Sequence, residues 1–142
     1  MTGERDLKTM LRHMAPQLQP GIFVYCCFPD FCLPAGINPI CTFRETEGLT
    51  VIVERSQADR ADVPHVFEAR LITLRVHSSL EGIGFLAAVA NVLAKADIPC
   101  NAVAAYHHDH LFVPKTLADK AITLLLAMAE IDSSESGTQV AS

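Results

Sequence analysis

Between Asp6 and Ala15 the apolar residues Leu7, Met10, Leu11 and Met14 recur on one helical face, and Pro16 disfavours helix just before it. The spacing predicts a short amphipathic helix. After Pro20-Gly21, the run Ile22 to Phe28 is rich in β-branched and aromatic residues and predicts a buried strand. Residues 29–39 carry three Pro and one Gly and read as a loop. Ile40 to Glu45 and Leu49 to Glu54 form a hairpin pattern around Thr46-Glu47-Gly48, whose glycine can supply a positive φ. A short helix over Ser56 to Asp62 and a long strand over Phe67 to Val76 follow.

Ser78-Ser79-Leu80-Glu81 matches a capping box, which predicts a helix from there to about Asp97, ended by Pro99. That helix is apolar on two sides, with Ile83, Leu86, Val89, Ala90 and Leu93 on one and Phe85, Ala88, Val92 and Ala96 on the other. It must therefore be covered twice, and a homodimer is the simplest cover. Cys100 to Tyr106 and Leu111 to Val113 predict a second hairpin with His107-His108-Asp109-His110 at its tip. A last helix is expected with Thr116 as N-cap and Asp119 as N3, and from Asp132 the Ser- and Gly-rich residues predict a disordered tail. The class is α+β: an antiparallel sheet with helices packed on one face, built from two split β-α-β units.

Composition sharpens this picture. The 142 residues suit one domain or two small ones sharing a core, and 50% apolar against 19% charged residues excludes wholesale disorder. A net charge of -5 offers no basic field for a phosphate backbone, so no nucleic acid partner is expected. No apolar run reaches the roughly 18 residues a membrane helix needs, which predicts a cytoplasmic protein with no membrane contact. The five cysteines form no CxxC pair, and Cys26, Cys27, Cys41 and Cys100 lie in apolar strand-like runs where a reduced thiol packs as a small hydrophobe. Neither a glycine-elbow serine nor a phosphate loop is present, so no catalytic residues and no cofactor are assigned.

From Val76 to Val113 the strand, glycine-bearing turn, helix and hairpin resemble an ACT domain. The stretch Glu81-Gly82-Ile83-Gly84 stands at that family's acidic-to-Gly turn and Ala94-Lys95-Ala96-Asp97-Ile98 at its helix end, with Glu as the acidic residue and Asp97 in place of the usual Gly. Ile72 to Leu80 and Tyr106 to Pro114 are similar to the small stand-alone tandem-ACT proteins of bacteria. The resemblance implies a ferredoxin-like fold with a degenerate ACT-like half over 1–70, an ACT domain over 71–131 and the tail over 132–142. It further implies a non-catalytic regulatory module that binds a small amino acid or related carboxylate where ACT units meet, for an unidentified enzyme or regulator.

Backbone amides at the helix start would hold the ligand carboxylate, because free N–H groups and the helix dipole favour an anion there. On this reading Glu81, Gly82, Ile83 and Gly84 form the cradle, Ser78 and Ser79 shape the helix start, Asn101 stands nearby, and Ile83 and Val103 select side chains by size. The bland alternative is that the glycines only allow close packing and that Glu81 only completes its capping box. Two other functional readings stand beside it. His108 and His110 with Asp109 could approach a zinc set, making a metal-binding protein or metal-dependent enzyme, although a solvated hairpin tip explains the same residues without a metal. The chain could also be a structural oligomerisation module without a ligand.

Overall fold

The computed structural model describes residues 6–76 and 82–141. The elements run α1 (Leu7–His13), β1 (Pro16–Leu18), β2 (Phe23–Phe28), β3 (Cys41–Glu45), β4 (Gly48–Glu54), α2 (Arg55–Arg60), β5 (Val66–Leu74), α3 (Phe85–Lys95), β6 (Asn101–Ala104), β7 (Asp109–Pro114) and α4 (Ala118–Ala141). They pack as two compact units: Pro20–Arg70 forms one, and the chain up to Gln19 joins the chain from Leu71 onward in the other. β5 contributes its first half to the central unit and its second half to the split one.

In the central unit the strands lie in the order β3-β4-β2-β5, all antiparallel. Alternation along β2 and β4 sends Val24, Cys26 and Phe28 with Leu49, Val51 and Val53 to one face, where Ala58 of α2 and Ile37 of the loop close the core. Cys27 points the other way and is exposed, so the expected packing role holds for Cys26 but not for its neighbour. Glu45 pairs with Gly48, which leaves only Thr46 and Glu47 in the hairpin loop. Against β2, the strand β5 shifts register between Phe23 and Tyr25. Phe67 fills the resulting bulge at φ 61°, with its ring edge-on to Tyr25 at 5.7 Å.

In the split unit β1 pairs with the second half of β5, and β6 pairs with β7 at the end of the strand order. The three-residue β1 is too short to show a period in the sequence, and its opening proline is tolerated as the first residue of a strand. Helices α1, α3 and α4 cover one face. Met10, Leu11, Ile72, Leu74, Val89, Leu93, Leu111, Val113 and Leu125 form the aliphatic core beneath them.

Three helix boundaries differ from the sequence pattern. α3 begins at Phe85 with Gly84 as its N-cap, not after a Ser78 cap, and the capping-box residues 78–81 lie outside the described residues. Phe85 consequently turns inward with Val89 and Leu93, one face at i, i+4 and i+8, while Leu86, Ala88 and Val92 are half-buried and Ile83 lies before the helix. A 3₁₀ turn at Lys115–Leu117 precedes α4, so Thr116 is not its N-cap. α4 itself continues to Ala141 through the residues expected to form the tail, because extending a helix already nucleated by a packed half costs little.

Candidate functional site

The C-terminal end of α3 is built by its last turn. Asp97 adopts φ 59°, its N–H donates to the Ala94 carbonyl at 3.0 Å, and the Ile98 N–H donates to the Leu93 carbonyl at 3.0 Å. This is a Schellman closure with Ile98 and Leu93 buried together, so Asp97 performs the left-handed role expected of the glycine it replaces.

The N-terminal end is barer. Gly84 sits at φ 90° as a left-handed N-cap, offers no side-chain acceptor, and is followed by a first turn without an acidic residue. Only its carbonyl joins the ladder, accepting from the Ala88 N–H at 2.9 Å. The conformation explains the glycine better than crowding does, since among the described residues a Cβ there would meet only Leu7 Cδ2 at an ordinary 3.6 Å. The amides of the first helical turn, which have no partners within the helix, thus lie beside a short bare turn of Gly82, Ile83 and Gly84. Ile83 is 86% exposed.

Of the remaining expected site residues, the two that are described, Asn101 and Val103, are not gathered at this turn within one chain. Ser78, Ser79 and Glu81 lie outside the described residues. Asn101 opens β6 and is exposed, paired in register with Phe112, and Val103 pairs with the half-buried His110. Cys100 lines one groove with Ala90 and Ala94, which places neighbouring Asn101 beside the C-terminal half of α3. An 11-residue helix spans roughly 16 Å, so within one chain Asn101 stands toward the far end of α3 from Gly84.

The histidine cluster is divided. The hairpin tip is Ala105 to His108, closed by the Ala105 N–H donating to the His108 carbonyl at 3.1 Å, whereas Asp109 and His110 belong to β7. Asp109 is buried, correcting the expectation that it belongs to a solvated tip. His107 lies edge-on to Tyr106 at 4.9 Å, and His108 Nδ1 stands 3.4 Å from the Val76 carbonyl. His110 Nδ1 lies 3.0 Å from the Thr73 hydroxyl, which accepts from Gln19 Nε2 at 3.1 Å. The Thr73 hydroxyl thus stands between the Gln19 amide, which donates to it, and His110 Nδ1, with which it shares a hydrogen bond whose donor is set by the imidazole tautomer. Burial and then the neighbouring His108 push the His110 pKa down. Among the described residues no three His, Cys, Asp or Glu side chains gather as a metal site. This Gln19-Thr73-His110 row carried no sequence signal, because its members lie 54 and 37 residues apart.

Antiparallel sheets backed by helices, with a glycine turn leading into α3, define the ACT class of small α+β domains. Family models described as ACT domain match residues 2–70 and 66–127. The chain belongs to the ACT-domain family and carries two such domains in tandem. Its fold is similar to that of a Vibrio cholerae protein of unknown function, described as a possible transport protein, with 39% identity and a TM-score of 0.77 over 87% of this chain and 95% of that one. A protein from Agrobacterium tumefaciens shares the fold at 16% identity and a TM-score of 0.71, covering 82% of this chain and 90% of that one. The regulatory subunit of aspartate kinase from Thermus flavus does so at 9% identity and a TM-score of 0.58, covering 90% and 99%. No curated protein matches the chain. No helix among the described residues is long and apolar enough to cross a membrane.

Proposed function

We propose that this chain is a non-catalytic, cytoplasmic regulatory module, with ACT units over 1–70 and 71–131, that binds a small amino acid or related carboxylate at the start of α3. The observation that carries this reading is the left-handed Gly84, an N-cap without a side-chain acceptor of its own, followed by a first helical turn with no acidic side chain. The ligand carboxylate accepts from amides of the Gly82–Gly84 turn and the first helical turn, where the helix dipole adds a favourable field. Ser78, Ser79 and Glu81 shape the approach from the preceding segment, and Ile83 contacts the ligand side chain. Asn101 and Val103 enter the site from a second copy of the chain, because β6 lies at the end of the strand order, where a partner can approach it. The functional unit in this proposal is a homodimer, and its output is a change in an enzyme or regulator that it contacts.

A thermal-shift screen of the twenty amino acids tests the proposal. A ligand at a hundred times its Kd stabilises the folded state by about 2.7 kcal/mol, which reads as a rise of several degrees in Tm. One or a few small amino acids are expected to give that rise. Gly84→Val, compared with its own unliganded Tm, is expected to lose it. A screen in which no amino acid shifts the Tm, or a Gly84→Val protein that keeps the full shift, overturns the site and favours a purely structural module.

A further inference from the structure

β6 ends the strand order, and among the described residues no strand lies beyond it. Edge strands are ordinarily guarded by charges or proline. β3, at the other end of that order, carries Arg44 and Glu45, whereas β6 reads Asn-Ala-Val-Ala and both of its alanines are exposed. The hairpin determines which backbone groups of β6 are open. The Ala105 N–H donates to the His108 carbonyl at 3.1 Å, so Ala105 with His108, Val103 with His110 and Asn101 with Phe112 are the hydrogen-bonded pairs of the β6–β7 ladder. The N–H and C=O groups of Ala102 and Ala104 therefore point outward from the sheet edge.

The two ends of this strand carry complementary features. A groove of about 470 Å³ opens where β6 begins, lined by Ala90 and Ala94 of α3 with Asp97, Ile98, Pro99 and Cys100. Beyond the other end, at the hairpin tip, Tyr106 is 70% exposed. When two copies pair antiparallel about a two-fold axis, one register uses the open groups of all four alanines. It sets Ala102 opposite the partner's Ala104 and Ala104 opposite the partner's Ala102, each pair exchanging two hydrogen bonds, with Val103 facing the partner's Val103 at the axis. Counted outward from there, Cys100 stands opposite the partner's Tyr106. We propose that β6 is the seam of a homodimer in this register, and that Tyr106 of each copy seats in the α3 groove of the other. The ring lies against Ala90, Ala94 and Cys100, and the phenol hydroxyl donates to the Asp97 carboxylate, the pairing of apolar body and polar tip that suits a buried tyrosine. The occupant is a second copy because groove and ring flank one strand, so a single axis fills both grooves. The inference rests on the homodimer of the functional reading above and specifies its contact.

Sedimentation equilibrium of the full-length protein and disulfide trapping test it. The wild type is expected to be a dimer at micromolar concentration. Tyr106→Ala, which removes the anchor, and Ala94→Arg, which fills the groove, are each expected to raise the dimer dissociation constant about a hundredfold, since the symmetric contact is lost twice. Both positions are exposed, so the fold is retained. Trapping with oxidised glutathione in a Cys27→Ser, Cys32→Ser background reads the register. Val103→Cys, facing its own copy across the axis at a spacing that suits a disulfide, is expected to give a covalent dimer, and Ala102→Cys, one diagonal step from its own copy, is not. A monomeric wild type, a dimer undisturbed by Tyr106→Ala and Ala94→Arg, or trapping through Ala102→Cys in place of Val103→Cys overturns the proposal. A monomer that keeps the amino-acid thermal shift removes this seam and leaves the ligand site; a dimer without the shift removes the ligand site and leaves this seam.

Discussion

The Thr73 hydroxyl lies 3.0 Å from Nδ1 of His110, across 37 residues of sequence, and receives the Gln19 amide on its other side. Protonating His110 makes Nδ1 a donor, so the Thr73 hydroxyl must then accept from both His110 and Gln19. Burial is the largest cause of the lowered pKa, followed by repulsion from His108, with Asp109 opposing. The folded state therefore binds fewer protons here than the unfolded chain. Stability from this group is full above the ordinary value of 6.5 and is lost as pH falls through the lower folded-state value. Urea unfolding is expected to give a lower free energy at about pH 5 than at about pH 7.5, and His110→Gln to flatten part of that dependence. An unchanged slope in the variant would remove His110 as its source.

Asp97 yields the next expectation. It sits at φ 59° as the residue that closes α3, a conformation that costs a non-glycine residue roughly 1–2 kcal/mol, less for Asp than for most. Asp97→Gly is expected to raise stability by about 0.5–1 kcal/mol, with Asp97→Val lowering it by more than that. Thermal unfolding of the three proteins provides the comparison. Equal stability of the Gly and Val proteins would show that the Schellman closure does not depend on this residue.

The elements that the sequence revealed are those whose signal is local. The β2 run, the Thr46-Glu47-Gly48 connector and the apolar spacing of α1 each stand within a dozen residues, and each formed where the pattern placed it. The start of α3 misled because Ser78 to Glu81 satisfies the chemistry of a cap, whereas the cap observed is a glycine whose backbone conformation no spacing rule reports. Asp109 misled for a related reason: polar residues at a hairpin suggest a tip, but the turn closes at His108 and draws Asp109 into the strand. At the candidate site, the glycines were legible as an unusual concentration at a helix start. The Thr73-His110 contact was not, because tertiary pairing alone brings its two residues together.

Cysteine reactivity follows from the alternation of β2. Cys27 and Cys32 are exposed, while Cys26 is buried and burial pushes its thiol pKa up, as it does for Cys100. Since the thiolate is the reactive form, both effects protect Cys26 and Cys100. A small thiol reagent added to the native protein is expected to modify Cys27 and Cys32 first, with Cys26 and Cys100 reacting only on unfolding. Peptide mapping by mass spectrometry distinguishes adjacent Cys26 and Cys27 by fragmentation. Equal labelling of the two would contradict the strand's facing.

Gly48 carries the sharpest prediction for stability. It opens β4 opposite Glu45 at φ 153°, and a Cβ added there would come within 2.8 Å of the Phe28 carbonyl oxygen, 2.9 Å of Cys27 Sγ and 3.0 Å of Pro29 Cα. The sulfur can rotate away, but the other two atoms are backbone, and Phe28 is held by its register with Leu49 and by the core beneath β2. Relief therefore requires moving the end of a paired strand. Overpacking and backbone strain together set the cost of Gly48→Ala at about 2–4 kcal/mol. The double variant Gly48→Ala with Cys27→Ala is expected to recover only a minor part, since it removes one of the three contacts. Urea denaturation measures both proteins. If the single change costs less than about 1 kcal/mol, or the cysteine change restores full stability, the backbone approach at Phe28 and Pro29 is not what requires glycine here.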